Sequence, residues 1–412
     1  MKALSQKDSV QDQVHLVSLP DGLEPWEDRN ELGKLTESIF KVMPTKLQEL
    51  IEKITVSEND QITCVIADES MGWALEVAER MGIRRAVFWP AAAATLALIF
   101  STPKLIDDGF INNHGTPIKN QMIQLSPSMP SINTTNLAWA CIGDLTAQKI
   151  IFEVVVKNIE SSKTVDWVIC NSSYDLESAT FTLFPHLSPI GPLLASNRLG
   201  KSAGYFWPED STCLRWLDQQ PSHSVIYVAF GSFTVFDQNQ FHELALGLEL
   251  TNRPFLWVVR PDMTEEATDV YPKGFIERVG GRGRMVGWAP QQNVLEHPSI
   301  ACFLSHCGWN STMEGVSSGV PFLCWPYFAD QFLNQSYICD VWKVGLGFNQ
   351  DKRGIINGEE IKNKVEQLLG DKMFKARALD LKEKAMNGVK ENGCSQKNFS
   401  NFIEWMKERK SS

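Results

Sequence analysis

In the second half of the chain, four short apolar runs each stop at residues able to meet a polar ligand. After Ser224–Phe230 comes Gly231-Ser232, a small turn that lets backbone approach a bound group. After Arg284–Trp288, the run Trp288-Ala289-Pro290-Gln291 offers an aromatic plate beside an amide. After Ala301–Ser305, His306-Cys307-Gly308-Trp309-Asn310-Ser311-Thr312 leads into a helix carrying Glu314. After Pro321–Trp325 comes Pro326-Tyr327-Phe328-Ala329-Asp330-Gln331. Ligands of open α/β sheets sit beyond the carboxyl ends of the strands, so four such ends together describe a binding cleft.

The chemistry of that cleft follows from residue types. A helix opening with Asn310-Ser311-Thr312 presents backbone N–H groups and the positive end of its dipole, which suits a phosphate or pyrophosphate. His306 and the Ser311 hydroxyl add donors. Glu314, three residues beyond Ser311 on the same helix face, suits a sugar diol better than a phosphate. Trp288 can stack a base, and Asp330-Gln331 can serve several hydroxyls. Taken singly, each feature has a plainer reading: a helix cap, a core tryptophan, a satisfied core histidine. Taken together they describe a nucleotide sugar. Cys302 and His306 do not make a metal pair, because four strand residues span ~13 Å. Gly315-Val316-Ser317-Ser318-Gly319 matches a nucleophile-elbow pattern, but a helix precedes it and a strand follows, the reverse of what that motif needs. Gly281-Arg282-Gly283 with Gly287 has the wrong spacing for a dinucleotide loop and leads into a strand.

These residues need parallel strands to hold them. Strand candidates in the first half are Val14–Ser18, Thr63–Ala67, Arg85–Trp89 and Trp167–Asn171, with a helix over Met71–Met81. The second half adds Ser224–Phe230, Phe255–Arg260, Arg284–Trp288, Ala301–Ser305 and Pro321–Trp325. A helix with Phe241, Leu244, Ala245 and Leu248 on one stripe separates the first two of these. Gly191–Ser211, rich in Gly, Ser and Pro, reads as a linker. Asn398–Arg409 reads as an amphipathic helix docking on a domain surface. The 412 residues carry 39 basic and 49 acidic side chains, a net charge of −10, so neither nucleic acid nor an anionic membrane is an expected partner. The longest apolar run, Ala86–Phe100, falls short of the ~20 residues a spanning helix needs. Nine cysteines without paired spacing fit a reducing compartment. The expectation is a cytoplasmic monomer.

The stretch Trp288 to Gln331, WAPQQNVLEHPSIACFLSHCGWNSTMEGVSSGVPFLCWPYFADQ, resembles the signature box of plant family 1 UDP-glycosyltransferases. The resemblance extends from Val14 to the C-terminus and takes in the Phe230-Gly231-Ser232 loop and Asp68. It implies an α/β protein of two facing Rossmann-like domains, the GT-B fold. The bounds expected are 1–195 for the acceptor domain, 196–211 for the linker, 212–395 for the donor domain and 396–412 for a helix returning to the first domain. It implies no cofactor and no metal, with UDP-glucose as co-substrate and a small hydrophobic acceptor, such as a flavonoid or another phenol, glycosylated with inversion. Carried over by position, Trp288 stacks the uracil, Ala289 and Gln291 meet its edge, and Glu314 holds the ribose. Ser232, His306, Asn310 and Ser311 bind the diphosphate. Trp309, Asp330 and Gln331 face the sugar, and Gln331 signals glucose.

The family's chemistry also uses a histidine base oriented by an aspartate. The aspartate corresponds to Asp68, which can equally be a helix cap. The family's histidine follows its first strand in a Gly-His-x-x-Pro context, and no such segment occurs in this sequence. The expectation is that the first βα unit, a few dozen residues with a normally central strand, is missing, leaving sheet backbone exposed. His15 lies inside a strand candidate and is not assigned the role. The alternative to a working transferase is therefore a UDP-sugar binder that does not turn over. Gly22-Leu23-Glu24-Pro25-Trp26 and Ala91–Phe100 are expected to wall the acceptor pocket.

Overall fold

The computed structural model describes residues 15–57, 62–194, 208–264 and 271–408. It divides into two compact units. One comprises Leu16–Leu193, Phe328–Leu333 and Asn387–Ser412; the other is made mainly of Leu194–Tyr327 and Asn334–Met386. Among the described residues, no helix is long and apolar enough to cross a membrane. Most of the expected linker lies outside the described residues.

The unit containing residues 16–193 holds strands β1 (Cys64–Asp68), β2 (Arg84–Trp89), β3 (Met122–Ile123), β4 (Ile132–Asn133), β5 (Trp167–Cys170) and β6 (Leu187–Pro189). Four of them form a parallel sheet in the order β1-β2-β5-β6, and β3 and β4 pair as an antiparallel hairpin. The inner strands are apolar on both faces, as parallel strands covered by helices must be: Ala86, Val87 and Trp89 on β2, and Val168, Ile169 and Cys170 on β5, are buried. The expected strand Val14–Ser18 is not borne out in its described part. Its described part, His15–Ser18, carries no strand, and Leu16 and Val17 are more than half exposed. Alternating apolar residues make a strand only where a neighbour offers a ladder, and none pairs with this segment among the described residues. On the far side of the sheet, the helix Cys394–Lys407 lies along β6, where Asn398 Nδ2 donates to the Pro189 carbonyl at 2.8 Å. Phe402 is buried with Ala86, Ile169 and Ile190, and Arg84 stacks over Trp405 at 4.1 Å.

One buried carboxylate organises the turn after β2. The helix Ala93–Phe100 has no side-chain cap from its own N-terminal residue, Ala92. Instead Glu177 reaches across: Ala93 N donates to its Oε2 at 2.8 Å, Ala94 N to its Oε1 at 2.9 Å, and the Ser172 hydroxyl to Oε2 at 2.6 Å. The carboxylate thus satisfies two orphan helix donors and sits at the positive end of the dipole. Replacing Glu177 with alanine leaves those donors buried and unpaired, so the protein should lose about 2–3 kcal/mol of stability. Glu177→Gln, which keeps an acceptor oxygen, should lose about half of that. Urea unfolding of the two variants beside the parent checks both figures.

The other unit carries β7 (Val225–Ala229), β8 (Phe255–Val258), β9 (Gly283–Val286), β10 (Ile300–Ser305), β11 (Phe322–Cys324) and β12 (Gly345–Gly347). They form one parallel sheet in the order β12-β11-β10-β7-β8-β9. The chain runs outward from β7 to β9, then returns to the other side of β7 and runs outward again through β12. The order therefore reverses between β7 and β10, which is the switch point of a doubly wound sheet. The helix Gln238–Leu250 packs Phe241, Leu244, Ala245 and Leu248 into the core, with Phe241 stacked on Trp257 at 4.7 Å. Strand bounds correct the sequence reading in two places that matter for the site. β8 ends at Val258, which puts Arg260 in the following loop, and β9 ends at Val286, which puts Trp288 beyond the strand. In both cases the apolar pattern runs past the last ladder hydrogen bond.

Candidate functional site

At the switch point, beyond the carboxyl ends of β7 and β10, lies a cavity of about 340 Å³. Nine of the residues singled out from the sequence line it. Ser232 follows β7, and Trp288, Ala289 and Gln291 follow β9. His306 follows β10, and Trp309, Asn310, Ser311 and Glu314 come from the helix Trp309–Ser318. The N-terminal turn of that helix aims its positive end at the cavity.

The turn into that helix is tightly specified. Cys307 is buried and adopts a positive φ of 65°, a costly conformation for a residue with a side chain. Three contacts hold it there. Asn334 Nδ2 donates to the Cys307 carbonyl at 2.8 Å, the Thr312 hydroxyl donates to the same oxygen at 3.4 Å, and Cys307 N donates to Ser305 Oγ at 3.1 Å. The consequence is that the His306 ring lies close against two glycines. A Cβ built on Gly231 would come within 2.6 Å of His306 Nε2, and one on Gly308 would come closer still. Gly231 also has a φ of 67°, so glycine is required there on two counts.

Gln291 ties the floor of the cavity together. Its Nε2 donates to Ser311 Oγ at 2.8 Å and to Glu314 Oε2 at 2.6 Å, while its Oε1 accepts from the Tyr227 hydroxyl at 3.1 Å. The amide therefore fixes the rotamers of Ser311 and Glu314 beside the half-buried Trp288 ring. Burial pushes the Glu314 carboxyl above its ordinary range, and the Gln291 hydrogen bond acts against that rise.

His306 is half-buried in the cavity wall, and desolvation pulls its imidazole down to about 4. At neutral pH the ring is uncharged. A doubly charged diphosphate beside it favours the protonated ring, so the value in the complex must lie higher than about 4. The sign follows from linkage: affinity is greatest below the lower value and falls as pH rises through the higher one. UDP-glucose, whose diphosphate keeps its charge between pH 5 and 8, should bind more tightly toward pH 5, with net proton uptake. Calorimetry in buffers of different ionisation enthalpy checks this, and His306→Gln should abolish the uptake.

A residue that the sequence reading missed secures the loop after β7. Arg260 is 2% exposed and donates to the Gly231 carbonyl, to the Thr234 carbonyl at 2.8 Å and to Asp262 Oδ1 at 2.9 Å. Its guanidinium thereby holds the segment that presents Ser232. An arginine at the end of an apolar run reads as a solvated strand end, and only its burial reveals the clamp.

Comparison with known proteins bears on what such a cavity holds. A family model described as UDP-glucoronosyl and UDP-glucosyl transferase matches residues 203–385. UDP-glycosyltransferase 83A1 of Arabidopsis thaliana is 48% identical over 408 residues, covering 97% of this chain and 86% of the relative. The chain belongs to plant family 1 of the UDP-glycosyltransferases. Solved structures of such enzymes are similar throughout. A UDP-glucosyltransferase from Polygonum tinctorium capable of glucosylating indoxyl superposes with a TM-score of 0.80 at 30% identity, covering 94% of this chain and 84% of that one. Os79 from O. sativa, in complex with UDP, gives 0.80 at 25% identity, covering 96% and 90%. The fold class is thus GT-B, and this UDP-glycosyltransferase takes a UDP-sugar as co-substrate.

Two further residues matched to the glycosyltransferase signature box do not line this cavity. Asp330 and Gln331 are not among the described residues lining it, and their segment Phe328–Leu333 groups with the first unit. The Gln331 side chain is buried, and its Oε1 accepts from Phe328 N at 3.1 Å. Asp68 lies at the end of β1, where its Oδ1 accepts from Ser70 N at 2.9 Å and from the Ser70 hydroxyl at 2.6 Å. It caps the short turn Glu69–Met71, and among the described residues no histidine bonds to it. In the same unit a second cavity, of about 300 Å³, is bordered by Phe40, Met71, Trp89, Trp139, Ile151 and Val155. Of the expected acceptor walls, Ile99 borders this cavity, whereas the segment Gly22–Trp26 does not.

Proposed function

We propose that this UDP-glycosyltransferase transfers glucose from UDP-glucose to a hydroxyl of a small, mostly apolar molecule of the flavonoid or phenol type, with inversion at the anomeric carbon. The observation that carries the donor half is the convergence of His306, Asn310, Ser311, Glu314 and Trp288 on one cavity at the switch point. Trp288 stacks the uracil, with Ala289 and Gln291 at its edge, and Glu314 accepts from the ribose hydroxyls. The helix N-terminus with Asn310 and Ser311, joined by Ser232 and His306, binds the diphosphate and takes up charge as UDP leaves. Trp309, Asp330 and Gln331 are assigned to the sugar. The acceptor half rests on the apolar cavity bordered by Trp89 and Trp139. In the reaction the acceptor oxygen forms a bond to the anomeric carbon as that carbon's bond to the β-phosphate oxygen breaks. UDP departs with the electron pair, and the acceptor proton passes to solvent beside Asp68, the carboxylate that the resemblance assigns to orienting a base.

A second reading, binding of UDP-sugar without transfer, is favoured by one observation: Asp68 is engaged by Ser70, and no histidine bonds to it among the described residues. Release of UDP from UDP-glucose, measured with and without a panel of phenols, separates the two. Acceptor-dependent release with a glucoside product supports transfer. Tight UDP-glucose binding with no release from any acceptor leaves the second reading, and failure to bind UDP-glucose overturns both.

A further inference from the structure

The apolar cavity in the first unit is bordered by one ionisable group that no side chain answers among the described residues. Glu69, the first residue of the turn after β1, is 2% exposed and borders the cavity, yet its Oε1 has no hydrogen-bond partner and its carboxyl forms no ion pair among the described residues. Its neighbours around the space are Ile39, Phe40, Met71, Trp89 and Trp139. A second polar atom there, Asn158 Oδ1 on the helix Leu145–Ser162, is likewise buried without a partner. The Asn158 amide packs so closely against the turn that a Cβ on Gly72 would collide with it. Buried carboxyls in native proteins are bonded as a rule, and an exception inside a cavity points to a partner that arrives with a ligand.

We propose that Glu69 is the acceptor-anchoring residue of this enzyme: its carboxyl hydrogen-bonds a hydroxyl of a mostly apolar acceptor, so that the cavity selects hydroxylated aromatic molecules over isosteric ones lacking that group. The proposal rests on the reading of this cavity as the acceptor site. Burial, reinforced by the neighbouring Asp68 charge, holds the carboxyl up at about 8, so near neutral pH it carries a proton and can donate as well as accept. A neutral carboxyl among aromatic walls suits an uncharged phenol. A site built around such a bond discriminates strongly, because the analogue without the hydroxyl leaves the carboxyl unpaired in a desolvated space.

Equilibrium dialysis of 2-naphthol against its isostere 2-methylnaphthalene, with UDP-sugar omitted, tests the proposal directly. The parent protein should hold 2-naphthol about tenfold more tightly or better. Glu69→Leu should bring the two ligands within about twofold by weakening 2-naphthol alone, and Glu69→Gln should keep the preference. Glu69→Leu should also melt no lower than the parent, since it removes an unpaired buried carboxyl. As a measurement independent of the variants' folding, infrared difference spectra of the parent should show a carboxyl C=O band shifting as 2-naphthol binds. An unchanged preference in Glu69→Leu, no preference in the parent, no binding of either ligand, or an unmoved carboxyl band overturns the assignment. Because these readouts need no turnover, absent UDP release leaves them intact and counts against transfer alone.

Discussion

Gly308→Ala is expected to weaken UDP binding about a hundredfold while leaving the fold standing. The backbone at Gly308, with φ −59° and ψ 144°, is open to any residue, so alanine brings no conformational strain. What it brings is a methyl group inside the van der Waals envelope of His306 Nε2. Room for the imidazole to shift is small, because Gly231 also lies close to the same nitrogen. The ring must rotate into the space assigned to the diphosphate. A hundredfold loss corresponds to about 2.7 kcal/mol, which matches the removal of one charge-assisted bond plus steric exclusion. Calorimetric titration with UDP measures it. Stability should fall by no more than about 1–2 kcal/mol in the same samples, since the methyl group meets a cavity wall rather than the sheet core. An affinity within threefold of the parent would show that the diphosphate does not sit beside His306.

Glu314→Ala should lower kcat/KM for UDP-glucose by about thirtyfold to a hundredfold. A carboxylate bridging two ribose hydroxyls makes two charge-assisted hydrogen bonds, and losing such a pair costs about 2–3 kcal/mol. The change is well isolated. Gln291 retains Ser311 and Tyr227 when Glu314 is removed, so the floor of the cavity keeps two of its three ties. The chemical signature is discrimination between nucleotides: the parent should prefer UDP to 2′-deoxy-UDP by about tenfold or more, and Glu314→Ala should bind both alike. Competition by the two nucleotides against UDP-glucose reads that ratio. A variant that keeps the full preference would place the ribose elsewhere.

Much of this was legible because the second sheet writes its layout plainly. Each central strand is apolar along its length, and each ends abruptly in small, polar or aromatic residues, so the ends of β7, β9 and β10 could be located to within two residues. The helix after β10 declared itself through Gly308 and Asn310-Ser311-Thr312. What could not be read were side chains whose role depends on who covers them. Arg260 stood only as the last residue of a strand candidate, and Gln291 read as a group meeting the base edge rather than the tie between Tyr227, Ser311 and Glu314. Glu69 was hidden by its position, since an acidic residue opening a helical turn is ordinarily a solvated partner of the dipole. The helix Leu145–Ser162 packs against the same turn, with Asn158 close to Gly72. The hairpin of β3 and β4 is two residues per strand, too short for alternation to register. Val14–Ser18 erred the other way, because alternation persists in a segment that no strand pairs among the described residues.

The helix Cys394–Lys407 bears on how such enzymes can be recombined. Residues lining the two cavities come from separate stretches of the chain, 227–314 and 36–158, which invites a single crossover near 194 to graft one unit onto another. Yet Phe402, Trp405 and Asn398 are seated on Ile169, Arg84 and Pro189, all encoded before that crossover. A one-cut chimera would set these side chains against a foreign sheet. Inheritance of the first unit is therefore discontinuous, and a faithful graft needs at least a second crossover near 387.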